Sequence, residues 1–166
     1  MRWLVYAFLV ILLVSCSSPT PQTPAETSTP DAKATLIASP PTFEITFDGN
    51  NCIVDGPDEI TAGEHLFVLH DLSDLSAYHV VQRMFSDHSF EEEKKWVEEN
   101  CGPPGSHCAK DSGRVAGYQE KKQVYDEDGD LYKLIDLTFE VEHAIWVGNP
   151  KMEWWPCGSF QVVAAP

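Results

Sequence analysis

The chain reads as an all-β domain, a two-sheet sandwich with one inserted helix, and three observations lead there. Seven or eight short runs alternate apolar and polar residues or are wholly apolar, and each is closed by Gly, Pro, Asn or Asp. One stretch carries a helix start signal. The chain has 166 residues, which leaves room for one modest core once an unusual N-terminal region is set aside.

The domain opens at Phe43, where Phe43, Ile45 and Phe47 alternate with Glu44, Thr46 and Asp48 in the period of a half-buried strand. Asp48, Gly49 and Asn50 close that strand, and Cys52, Ile53 and Val54 give a short second one before the turn residues Asp55, Gly56 and Pro57. The run from His65 through Leu66, Phe67, Val68 and Leu69 to His70 predicts a strand covered on both faces. Polar residues 71 to 76 interrupt it, and residues 78 to 84 resume strand character. At Ser89 the pattern changes. Ser89, Phe90, Glu91 and Glu92 spell a capping box with Ser89 as N-cap, and Gly102, Pro103 and Pro104 stop the helix that follows. Residues 121 to 125 and 131 to 135 flank Asp126, Glu127, Asp128, Gly129 and Asp130, which predicts a hairpin with an acidic tip. Leu137, Phe139 and Val141 alternate with polar residues, and residues 144 to 147 and 160 to 163 supply the closing strands.

Formal net charge is -15, which argues against nucleic-acid binding and against attraction to anionic lipid headgroups. Residues 17 to 42 hold six Pro and ten Ser or Thr and almost no large apolar side chain besides Leu36 and Ile37. Such a composition predicts a tether, extended at roughly 3.1 Å per residue where prolines dominate. Ahead of it stand Arg2, an apolar run over residues 3 to 14, Ser15 and Cys16. That arrangement is an export signal short for a bilayer span. Leu13, Val14, Ser15 and Cys16 resemble the lipobox of bacterial lipoproteins. The resemblance implies a signal peptide over residues 1 to 15, diacylation of the Cys16 thiol, cleavage before Cys16, and attachment to the lipid bilayer through acyl chains on the extracytoplasmic side of the cell envelope.

With Cys16 assigned to lipid, Cys52, Cys101, Cys108 and Cys157 remain, an even set for an oxidising compartment. Three pairings are open to four cysteines. The short spacing of Cys101 and Cys108 suits a local disulfide better than a zinc site, since His107 is the one further ligand nearby and paired knuckles are missing. Cys52 with Cys157 is then the favoured second bridge.

The chemistry-bearing residues are sparse. An EF-hand starting at Asp126 would place Leu137 at position twelve, where a bidentate carboxylate is required, so the acidic tip reads as solvated. Sequence elbows, phosphate loops and zinc-protease helices are missing, and no catalytic residue is expected. Trp154 and Trp155 are the candidate contact residues: in extended chain they face opposite sides, one toward the core and one toward a partner, and the acidic surface favours cationic partners.

The order Phe-Asp-Gly (residues 47 to 49), Gly-Pro (56 and 57), Ala-Gly-Glu-His (62 to 65), His-Val-Val (79 to 81) and Trp-Pro-Cys-Gly-Ser-Phe-Gln-Val-Val (155 to 163) resembles a cupredoxin-like domain. The likeness covers residues 43 to 166, with an insertion around residues 86 to 118, and implies a Greek-key β-sandwich. In copper-binding members a His before a Val-rich strand joins a Cys, a His and a Met near the last strand. His79 matches the first of these. Between Val147 and Phe160 there is no His, Gly148 falls where the thiolate is expected, and Cys157 stands near the axial Met position. A type 1 site needs two imidazoles and a thiolate on one ion. The expectation is therefore a copper-free, non-enzymatic interaction module without cofactor, whose partner is an unidentified envelope or extracellular component. The competing expectation is metal handling or electron transfer through an unconventional copper site at His79, with His65 or His70.

Overall fold

The computed structural model describes residues 32–84, 89–108, 115–116 and 118–165. The signal peptide, Cys16 and tether residues 16–31 lie outside the described residues, so the lipidation reading does too. Two five-stranded sheets face each other. One has the order β2, β1, β4, β8, β7 and the other β3, β10, β9, β5, β6. The strands are β1 Phe43–Phe47, β2 Cys52–Asp55, β3 Glu59–Thr61, β4 Gly63–Asp71, β5 Tyr78–Arg83, β6 Val115–Ala116, β7 Tyr118–Tyr125, β8 Leu131–Leu137, β9 Glu142–Gly148 and β10 Trp154–Val163. Both sheets are mixed: β1 runs parallel to β4, and β3 runs parallel to β10. The all-β sandwich expected from the strand pattern is the observed architecture. Among the described residues no helix is long and apolar enough to cross a membrane.

The inner faces follow from alternation. Phe43, Ile45 and Phe47 of β1 point inward with Phe67 and Leu69 of β4 and with Leu131, Ile135 and Leu137 of β8. Val81, Ile145, Val147, Trp155, Phe160 and Val162 meet them from the second sheet. Phe67 stacks on Phe43 with centroids 4.7 Å apart, and Phe43 lies 4.6 Å from Phe160. This aromatic layer joins the sheets at their centre.

The outer faces are closed differently. Helix α2, Phe90–Cys101, begins with the expected capping box: the Ser89 hydroxyl accepts the Glu92 amide, and the Ser89 amide donates to the Glu92 carboxylate at 2.8 Å. Phe90 and Val97 of that helix cover Met84, Ala144 and Trp146 on the back of the second sheet. Across the molecule, Leu36 of the short helix α1, Ala32–Ile37, packs on Leu66 and Val68. The doubly covered strand expected at residues 65 to 70 is thus β4, with Leu66 through Leu69 all buried. Its outer cover comes from the segment read as tether, because Leu36 is apolar enough to dock; residues 32 to 42 accompany the sandwich.

Two local expectations are corrected. Phe139 and Val141 do not extend a strand, since β8 ends at Leu137 and β9 starts at Glu142. Phe139 is instead 42% exposed, with the Arg83 guanidinium 4.1 Å over its ring. The stretch before Phe160 is not a loop: β10 begins at Trp154 and passes Pro156 through a register shift between Pro156 and Gly158. A bulge is where a strand tolerates a proline.

Candidate functional site

At the end of the sandwich where β1 and β4 finish lie two pairs of segments: the disulfide loop after α2 runs beside the turn between β9 and β10, and His70 near the end of β4 ties to the β7 to β8 hairpin tip. The Cys101–Cys108 disulfide closes the loop after α2, and the Cys52–Cys157 disulfide joins β2 at the rim of one sheet to β10 in the other. Both favoured pairings are present. The small loop lies along the start of β10: the Gly105 amide donates to the Trp154 carbonyl and the Cys108 amide to the Met152 carbonyl, each at 2.9 Å. His107 Nδ1 donates to the Lys151 carbonyl at 2.7 Å, which fixes the neighbouring turn.

Trp154 and Trp155 do face opposite sides. Trp155 is 5% exposed, 4.8 Å from Phe47 and roofed by Gly105. It is a core residue, so its indole offers no open face. Trp154 is half-buried against the cluster that α2 forms with Met84, Ala144 and Trp146, and meets Tyr78 edge-on at 5.9 Å. Its ring lies flat on Gly148, where an added Cβ would be 2.5 Å from an indole carbon. Gly148→Ala is therefore expected to push Trp154 off the sheet at about 1–3 kcal/mol of stability. A lowered unfolding midpoint with a red-shifted Trp emission checks this, and an unchanged midpoint would contradict the placement.

The acidic tip is largely occupied by its own turn. Asp126 Oδ1 accepts the Asp128 amide at 3.0 Å and the Asp130 amide at 2.9 Å, while Asp130 accepts His70 Nδ1 at 2.6 Å. Burial, reinforced by the charges of Asp126, Asp130 and Asp128, pushes the Tyr132 phenol above its ordinary range. Beside the tip lies a groove of about 590 Å³ whose walls are Lys33, Ala34, Ile37 and Ala38 of the α1 region and Asp126, Glu127 and Asp128 of the tip.

The histidines considered for metal sit in separate surroundings. His65 Nε2 donates to the Thr61 carbonyl at 2.7 Å, and its Nδ1 accepts the Thr42 hydroxyl at 3.4 Å. His70 binds Asp130, with the Glu44 carboxylate 4.0 Å from Nε2. His79 is inside the core, 6.1 Å from Phe67 by ring centroids. Among the described residues no group of three or more His, Cys, Asp or Glu side chains could hold a metal ion.

Lys133 is the polar residue that pattern reading passed over. It shares the phase of Leu131, Ile135 and Leu137 on β8, so its stem enters the core and its ammonium donates to the His79 carbonyl at 2.9 Å. The Glu120 carboxylate lies 3.5 Å from the same ammonium. Burial lowers the Lys133 pKa, opposed by the Glu120 charge. The phase was visible in the sequence; the carbonyl it caps was not.

Fold and site together define an acidic, disulfide-stapled β-sandwich with a helix on each outer face. No protein-family model matches the chain, and neither does any curated protein.

Proposed function

We propose that the chain is a bacterial envelope lipoprotein that displays a copper-free, cupredoxin-like sandwich as a binding module. The observation that carries this reading is cysteine arithmetic: four of the five cysteines pair with one another across the domain, which leaves Cys16 without a cysteine partner at the end of an apolar export signal. Paired cysteines suit a compartment outside the cytoplasm, where acylation of Cys16 would hold the domain at a membrane. Two mixed sheets packed face to face are compatible with the Greek-key arrangement. Donor chemistry supports the copper-free reading, because Cys157 is engaged in a disulfide and His79 is buried in the core against Phe67. Binding takes precedence over catalysis, and the groove between the α1 region and the acidic tip is the contact candidate, its three carboxylates against the single Lys33 ammonium favouring a cationic partner.

The test is made on bacteria producing the full chain. Wild type is expected in the detergent phase, with a mature N-terminal peptide that begins at Cys16 and carries the mass of acyl chains. Cys16→Ser is expected to lose the acyl mass and the processing step. An N-terminal peptide of wild type with an unmodified Cys16 would sink the reading.

A further inference from the structure

His79 is 1% exposed, and neither ring nitrogen has a hydrogen-bond partner among the described residues. Leaving a buried polar group unsatisfied is costly, and an apolar side chain there would avoid the cost. The position is also mechanically weak. Residues 78 to 83 pair with β9 on one side, whereas β6 pairs only with Gln82 and Arg83. Among the described residues, the stretch around His79 is therefore the rim of its sheet. Across that rim, Lys133 of the other sheet donates its ammonium proton to the His79 carbonyl at 2.9 Å and is itself 5% exposed. A tie between the two sheets thus ends on the residue whose ring is unpartnered.

We propose that His79 and Lys133 form an acid-sensitive latch: when His79 takes a proton, imidazolium and ammonium cannot share the seam, and the rim at residues 78 to 81 swings away from β8. The charged groups on the surrounding strands offer no relief. On β4 the ring meets Phe67, and Asp71 is occupied by the Ala77 amide at 2.7 Å and the Ser73 amide at 3.0 Å. On β9 the register partner is Val147, while His143 donates to the Val141 carbonyl and stacks on Phe160. Strand β10 has no acidic or basic side chain, Arg83 on β5 lies over Phe139, and Glu120 of β7 is engaged by Lys133.

Burial first, and the Lys133 charge second, hold the His79 pKa well below its ordinary value. Once the rim opens, the imidazole titrates near 6.5. Below that pH the open form binds one more proton than the closed form, so acid favours opening by about tenfold per pH unit until the closed-state pKa is reached. Above it the latch is insensitive to pH.

Hydrogen exchange on the oxidised full chain at pH 7.5 and 5.0, corrected for intrinsic rates, tests the latch. Amides at residues 78 to 81 are expected to open roughly thirtyfold more often at the lower pH, with the β4 amides of Phe67 and Leu69 unmoved, and His79→Phe should abolish the increase. An equal acceleration in β4 and β5 would reduce the effect to general acid unfolding and overturn the latch, as would an increase that survives in His79→Phe. Should that variant not fold, imidazole NMR of the native chain decides: ring signals that titrate together with the rim exchange support the latch, and titration near 6.5 with a closed rim overturns it.

Discussion

Phe67→Ala is expected to cost about 3–5 kcal/mol of stability, a large share of what a domain of this size possesses. Phe67 is fully buried at the centre of β4, stacked on Phe43 at 4.7 Å, with Phe160 at 5.9 Å and His79 at 6.1 Å. Truncation removes the ring from an aromatic layer to which both sheets contribute. The layer has little freedom to collapse into the space, because Ile45, Leu69 and Ile145 around it are already fully buried. Thermal unfolding of the oxidised protein should show a midpoint lower by roughly 10–20 °C. Leu72→Ala is the control, since Leu72 is 71% exposed and should shift stability by no more than about 0.5 kcal/mol. Equal effects of the two substitutions would contradict the packing described here.

Removing the Cys52–Cys157 bridge as Cys52→Ser with Cys157→Ser is expected to destabilise the domain by about 4–5 kcal/mol in the chain-entropy account, against about 2.5 kcal/mol for Cys101→Ser with Cys108→Ser. The difference follows from sequence separation, 105 residues for one bridge and 7 for the other. Geometry adds to it. Strand β2 is a four-residue rim strand that pairs only with β1 within its sheet, so the bridge is its covalent hold on β10. Denaturant unfolding of the two double variants beside the wild type gives the comparison. The long bridge should dominate; a larger loss from the short one would mean that the loop over Trp155 matters more than the link between sheets.

Much of this architecture was legible because its signals are local. Alternation in residues 43 to 48 gives β1, Ser89 and Glu92 give the start of α2, and the acidic turn gives the hairpin of β7 and β8. Elements whose stability is borrowed were not legible. Strand β3 is three residues long and exists through its parallel pairing with Gln161, Val162 and Val163 of β10. Strand β6 has two residues, too few for any period to register. Helix α1 is far shorter than a helix that stands alone in water, and it gains its place by burying Leu36.

Of the candidate residues, spacing favoured the local Cys101–Cys108 pair and left Cys52 with Cys157 as the remaining one, while the opposite orientation of Trp154 and Trp155 followed from the pleat. Which Trp faced the core was a tertiary matter, decided by Phe47 on one side and α2 on the other. Periodicity, capping and composition were enough to read an acidic all-β chain with one capped helix, since these signals act within a few residues of their cause. That the Lys133 ammonium caps the His79 carbonyl while the His79 ring is buried without a hydrogen-bond partner could be learned from the folded chain alone. That meeting joins positions 54 residues apart, and packing of the two sheets, rather than any local pattern, brings them together.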